Sequence, residues 1–264
     1  MIAVVGVGVM GEMLIAGLLR AGWAPSELTA VDRHQTRLAE VGERYGIATA
    51  DLEDAAAAAD TVVVVVKPQD AGDVLPRIGA SIRPGTLIVS LCAGLTTGQI
   101  EKALPEGTPV VRVMPNTPAQ VSEGMAAVSS GRDASKQNVD DVVAMLSAVG
   151  KAIVVPEKYQ DAVTAISGSG PAYLFFVVEA MIDAGVMLGL PRDIATQLVV
   201  QTMFGSAKLL AESGAHPTVL RERVTSPGGT TAAALRQLED HRVKAAFMQA
   251  MEAARDKSVE LSRS

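Results

Sequence analysis

Three glycines within six residues, Gly6-Val7-Gly8-Val9-Met10-Gly11, follow the β-branched run Ile2–Val5 and lead into a segment of good helix formers, residues 12–21. No other stretch limits the fold as tightly. In a strand–loop–helix of this spacing, the first glycine permits a tight turn, the second lets a ligand approach the backbone, and the third lets helix and strand pack closely. The helix start then offers free N–H groups and a partial positive charge to a phosphate. Residues 28–31 read as the next strand, and Asp32 follows them, where such a loop places an acid. The pattern predicts a dinucleotide held by Gly6, Val7, Gly8, Val9, Met10 and Gly11. Asp32 and Arg33 point to different dinucleotides: an acid accepts from the ribose hydroxyls of NAD, whereas an arginine pairs with the extra phosphate of NADP.

Up to Pro156, short apolar runs alternate with helical segments, as expected when parallel strands are joined by crossover helices. The runs are 2–5, 28–31, 61–66, 87–91, 110–114, 125–128 and 153–155. Residues 61–66 are apolar without alternation, which places that strand mid-sheet with helices over both faces. Three more strand ends reach the carboxyl edge, where such sheets bind ligands. They bring Val66, Lys67 and Pro68, then Ala93 and Gly94, then Asn116 towards the cofactor. Cys92 lies among them and reads as a small buried thiol, since no histidine is near it in sequence to activate it.

After Pro156 the strand signal stops and long helical segments follow, near 158–166, 172–188, 192–213 and 231–262 with a break near Asp240. The fold class is therefore α/β: an N-terminal Rossmann-type, doubly wound, mostly parallel sheet over residues 1–156, and an all-helical C-terminal dimerisation domain over 157–264. Residues 172–188 are apolar nearly all round, interrupted mainly by Glu179 and Asp183. A helix of that kind needs cover on every side. Either a second copy of the chain supplies it through an apolar interface, or the helix is ringed by its own neighbours. Two glycine- and hydroxyl-rich loops, 167–171 and 225–231, are each placed at a helix start, which suits a small anion such as a carboxylate. For the first loop, plain capping is an equal alternative.

The chain has 264 residues, a net charge of -6 and 3% aromatic residues, so it lacks the basic surplus and stacking rings that nucleic acid requires. One cysteine and no Cys/His cluster give neither a disulfide nor a tetrahedral metal site, and suit a reducing cytoplasm. The first 19 residues have no basic start and carry Glu12, unlike a signal peptide. No apolar run approaches the roughly 18 residues of a membrane span, so no membrane partner is expected.

Taken together these residues resemble the pyrroline-5-carboxylate reductases, which reduce a cyclic imine to proline. The resemblance runs through GVGVMG at the start, VVVKPQ at 64–69, RVMPNTP at 112–118, DAVTAISGSGPAY at 161–173 and VTSPGGTTAAAL at 224–235. It implies NADP(H) as the preferred cofactor with NAD(H) as the alternative, a homodimer through the helical domain, and dimers assembling further into a decamer. It also implies a substrate carboxylate resting on Ser226, Gly229, Thr230 and Thr231, with Glu157 as a further substrate contact. The Thr231 hydroxyl then approaches the ring nitrogen as the catalytic group. The chain departs from the family pattern at Asp51, where many relatives carry an asparagine, at Thr230 in place of a common alanine, and at Gly214, where some have glutamate.

A protonated imine is already electrophilic, so its reduction needs positioning more than a strong acid. His34, His216 and His241 sit in polar, loop-like contexts, which agrees with that chemistry. A hydroxyacid dehydrogenase of the same plan would carry a lysine one turn into the helix after the first glycine-rich loop, and 171–175 contain none. A non-catalytic nicotinamide sensor would need no carboxylate pocket, which counts against it.

Overall fold

The computed structural model describes residues 1–263. The chain packs as two compact units, Met1–Ser169 joined by the stretch from Ala254 onward, and Gly170–Ala253. The first is built on eight strands: β1 (Ile2–Val5), β2 (Leu28–Val31), β3 (Ala48–Thr49), β4 (Thr61–Val64), β5 (Leu87–Ser90), β6 (Val110–Met114), β7 (Gly124–Ser130) and β8 (Gly150–Val154). They form one sheet in the order β3-β2-β1-β4-β5-β6-β7-β8. Every neighbouring pair is parallel except β6 and β7. Helices α1 (Val9–Arg20), α2 (Gln35–Tyr45), α3 (Leu52–Ala58), α4 (Pro68–Ser81), α5 (Thr97–Lys102) and α6 (Lys136–Leu146) connect the strands.

Alternate strand residues feed two cores. Val4, Val63 and Val89 pack with Leu14 and Leu18 of α1 and Val142 and Leu146 of α6 on one face. Val5, Val62, Val64 and Ile88 pack with Ala55 of α3, Leu75 and Ile78 of α4 and Ile100 of α5 on the other. Covered faces are why the strands read as unbroken apolar runs. β4 lies mid-sheet as expected, but it ends at Val64 rather than Val66: the chain turns away at Val65 and Val66, and Pro68 opens α4. The two-residue β3, exposed at both positions, left no sequence signal. Strand order reverses between β1's two neighbours, and in such sheets the crevice outside the carboxyl ends at that point takes the ligand.

Residues 157–169 side with the sheet, so the packing boundary falls later than the composition change at Pro156. Gln160, with no exposed surface, opens α7 (Gln160–Val163) and donates to the Ala127 carbonyl at 3.2 Å and to Ser129 Oγ at 2.7 Å. A π-turn, Thr164–Gly168, then runs towards α8 (Gly170–Met187). α8 thus begins inside the glycine-rich segment 167–171, but it follows the π-turn with only Ser169 between them. The Ser169 N–H is spent on the Thr164 carbonyl at 2.8 Å, leaving less for an anion.

The second unit holds α8, α9 (Arg192–Ser213), α10 (Pro217–Arg223), α11 (Thr230–Asp240) and α12 (Val243–Arg263), whose end rejoins the first unit. α8 and α9 form a hairpin turned by Gly189, at φ +94°, and braced by an Asp183–Arg192 ion pair at 2.9 Å. Only Pro171 of α8 and only Ala195 and Val199 of α9 are buried. The chain's own neighbours therefore do not ring α8. The run Glu157–Met187 is, by length and composition, long and apolar enough to cross a membrane, which sequence inspection did not anticipate. Glu179 and Asp183 interrupt the run without lowering its average enough, and both are costly in lipid.

Candidate functional site

The three glycines are required for different reasons. Gly6 has φ +96°, and a Cβ there would sit 2.7 Å from the Val65 carbonyl oxygen. A Cβ on Gly11 would collide with the Gly6 carbonyl oxygen. Gly8 has ordinary extended backbone, φ -65° and ψ -164°, and a Cβ there would meet nothing within 4 Å. Protein packing therefore makes no demand for glycine at 8, and the space kept clear belongs to the cleft in front of it. A pyrophosphate lying on the α1 N-terminus fits that cradle. Gly8→Ala is expected to leave the thermal midpoint within about 2 °C while weakening dinucleotide binding about tenfold or more, measured by cofactor titration.

The cleft, about 740 Å³, opens at the carboxyl ends of β1, β2 and β4, and Gly6, Gly8, Asp32, Arg33, Val66 and Lys67 of the expected cofactor residues line it. Asp32 uses both carboxylate oxygens locally. Oδ2 accepts from the Val7 N–H and Oδ1 from the His34 N–H, each at 2.9 Å. Burial pushes its carboxyl up, but the hydrogen bonds from His34 and Val7 outweigh it and hold the group below its ordinary value. Arg33 is exposed at the cleft mouth and paired with Asp70 at 2.9 Å. Asp70, Asp73 and Arg77 also line the cleft, with Asp51 and Glu53, and Arg77 pairs with Glu53 at 2.8 Å. Sequence reading assigned the α4 residues nothing, although their three- and four-residue spacing puts them on one helix face.

Val7, Val9, Met10, Gly11, Pro68, Ala93, Gly94 and Asn116 lie off this lining. Asn116 is mostly buried, and its amide bridges the end of β6 to two other segments. Its Oδ1 accepts from the Met125 N–H at 2.8 Å, and its Nδ2 donates to the Ser167 carbonyl at 3.2 Å. Ala93 is exposed, and Gly94, at φ +78°, packs against Leu261 of α12. Lys67 is exposed and has no ion-pair partner among the described residues. Cys92 is buried, and burial pushes its thiol up, as expected of a structural thiol.

Glu157, expected to touch substrate, is committed elsewhere. Its carboxylate accepts from the Thr97 N–H and hydroxyl, both at 2.7 Å, and pairs with the buried Arg112 at 3.2 Å. Three donors leave it little capacity for a ligand. It serves as the counter-charge that lets an arginine sit inside β6. Glu157→Gln is expected to cost about 2 kcal/mol of stability, read by denaturant unfolding, because Arg112 keeps its charge and loses its partner.

At the start of α11, Gly228 takes φ +71° and the Gly229 N–H closes the turn on the Ser226 carbonyl at 3.0 Å. A Cβ on Gly229 would come 2.5 Å from Ser226 Oγ. The Ala233 N–H makes a helical bond back to Gly229, and no side chain caps the helix. The N–H groups of Thr230, Thr231 and Ala232 precede the first full turn of bonding, beside the hydroxyls of Ser226, Thr230 and Thr231. Ser226 and Thr230 are exposed, and Thr231 is half-buried.

A doubly wound sheet with a glycine-cradled cleft at its reversal point, continued by a helical unit with a second anion-ready helix start, defines a Rossmann-type dinucleotide-binding oxidoreductase. Residues 1–94 match the family model for coenzyme F420-dependent NADP oxidoreductases, and residues 157–261 match that for pyrroline-5-carboxylate reductase dimerisation. The pyrroline-5-carboxylate reductase of Corynebacterium melassecola is 43% identical over 99% of this chain and 98% of its own. The structure is similar to that of a pyrroline-5-carboxylate reductase from Coxiella burnetii, with a TM-score of 0.93, 34% identity, and 100% and 98% of the two chains covered. It also resembles the Plasmodium falciparum enzyme with NADP bound, with a TM-score of 0.88, 33% identity, and 99% and 97% covered. The chain belongs to the pyrroline-5-carboxylate reductase family.

Proposed function

We propose that this chain reduces 1-pyrroline-5-carboxylate to L-proline, the last step of proline biosynthesis, with NADPH preferred over NADH. The observation that carries the reading is the α11 start, which no side chain caps, so that the N–H groups of Thr230, Thr231 and Ala232 are left for a ligand such as a carboxylate in a segment that also carries the hydroxyls of Ser226, Thr230 and Thr231. Ser226, Gly229, Thr230 and Thr231 hold the substrate carboxylate there, and the Thr231 hydroxyl hydrogen-bonds the ring nitrogen. When bound, the dihydronicotinamide supplies a hydride to the imine carbon. The C=N electron pair then stays on nitrogen, which keeps the proton it already carries. The protein's part is to orient the ring and hold that proton in place.

Asp32 favours NADPH by what it no longer offers: with both oxygens turned to backbone N–H groups, it presents little to a ribose diol. Arg33 can share its guanidinium with a 2′-phosphate. Gly6, Val7, Gly8, Val9, Met10 and Gly11 hold the pyrophosphate, and Val66, Lys67, Pro68, Ala93, Gly94 and Asn116 border the rest of the dinucleotide. The helical half, from residue 157, pairs two copies, dimers assemble into a decamer, and the enzyme works in the cytoplasm without membrane or nucleic-acid partners.

The test is steady-state turnover of 1-pyrroline-5-carboxylate, followed by loss of reduced-cofactor absorbance. Efficiency with NADPH should exceed that with NADH by about tenfold, the worth of one charge-assisted phosphate contact. No turnover with either cofactor would overturn the proposal.

A further inference from the structure

The Val7 peptide sits between the tight turn at Gly6 and the open position at Gly8, in the middle of the phosphate loop. Val7 has no exposed surface, yet both edges of this segment are held by charged side chains. The N–H donates to Asp32 Oδ2 at 2.9 Å, and the carbonyl accepts from Arg37 Nε at 3.0 Å. Arg37 comes from the first turn of α2 and is itself fixed by an ion pair with Glu12, in the first turn of α1. Glu12 is gripped further by Arg44 Nη1 at 2.5 Å and by the Tyr45 hydroxyl at 3.1 Å.

We propose that Arg37, anchored by Glu12, is a positioning residue for the cofactor: it fixes the orientation of the Val7 carbonyl so that the loop meets the pyrophosphate with N–H groups and not with carbonyl oxygen. The inference rests on the cleft taking a nicotinamide dinucleotide. Two physical consequences support it. A carbonyl tied to a guanidinium cannot swing towards the phosphates, where its negative end would repel them. The Glu12 carboxylate lies one turn from the phosphate-binding helix start, and Arg37 and Arg44 offset a charge that would oppose an anion there. Neither side chain lines the cleft, so both act through the loop.

The test compares wild-type protein with Arg37→Met and Arg37→Lys, titrating NADPH and NADH separately and measuring kcat at saturating cofactor. Arg37→Met should raise the Kd for both cofactors by a similar factor, about tenfold, with kcat within about twofold, because pyrophosphate binding is lost equally from ground and transition states. Arg37→Lys should recover part of the affinity, since an ammonium can reach the carbonyl but cannot also fork onto Glu12. Unchanged Kd values would overturn the inference, as would a loss confined to NADPH, which would instead make Arg37 a contact for the 2′-phosphate. If Arg37→Met does not fold, Glu12→Gln frees Arg37 more gently. It should still weaken both cofactors together by about threefold, and no change would overturn the inference. Wild-type protein that binds neither dinucleotide would overturn the reading of the cleft as well, whereas normal wild-type binding with unaltered variants overturns the positioning role alone.

Discussion

Replacing both Phe175 and Phe176 with aspartate should abolish the pairing of two copies. These side chains are 67% and 72% exposed in the single chain, on a helix whose only buried residue is Pro171. Leu174, Met181, Leu198, Phe204 and Leu209 are exposed on the same hairpin, more apolar surface than a lone protomer keeps in water. A twofold interface counts each residue twice, so four phenylalanines are removed from contact at about 1.5–3 kcal/mol apiece. Four carboxylates would also have to be desolvated in their place. The loss is larger than a typical dimer interface can absorb. Light scattering should show the mass falling to that of one chain, 27.3 kDa, or the protein precipitating from its unpaired state. A double variant that keeps the mass of the wild-type assembly would place the interface elsewhere.

The second large effect is expected at Thr231. It is half-buried in the first turn of α11, and in the proposed binding of the substrate carboxylate to that helix start its hydroxyl would reach the ring nitrogen. The C=N bond of a protonated imine needs no strong acid, so the hydroxyl contributes orientation: its oxygen accepts from the N–H that the iminium already carries and holds the ring nitrogen in place during hydride transfer. Thr231→Ala should lower kcat about 10²-fold while cofactor affinity stays within about twofold, and Thr231→Ser should restore most of the rate. A loss of NADPH binding in the alanine variant would mean that the substrate pocket has been misplaced.

Much of the fold was legible because the cofactor half obeys local rules. Covered strands read as unbroken apolar runs, and the spacing of Gly6, Gly8 and Gly11 encodes a turn, a cradle and a close crossing that the backbone then displays. Ala48–Thr49 was not legible, since two exposed residues carry no period. The segment 167–171 does hold the start of α8, but the π-turn that runs into it was not legible, because Gly and Ser suit both. Glu157 was expected at the substrate from the family resemblance, and sequence could not show that its carboxylate also pairs with Arg112, which β6 places in the interior. The same holds for Asp32, whose two partners, Val7 and His34, come from both sides of the second strand. Val7, Thr97 and Arg112, distant along the chain from the carboxylates they hold, supplied information that sequence spacing lacked.

The most direct test follows the hydride itself. Protein incubated with 1-pyrroline-5-carboxylate and NADPH deuterated at the transferable C4 position should yield proline bearing one deuterium at C5, in step with cofactor oxidation. Proline without deuterium, or oxidised cofactor without proline, would contradict imine reduction at this site.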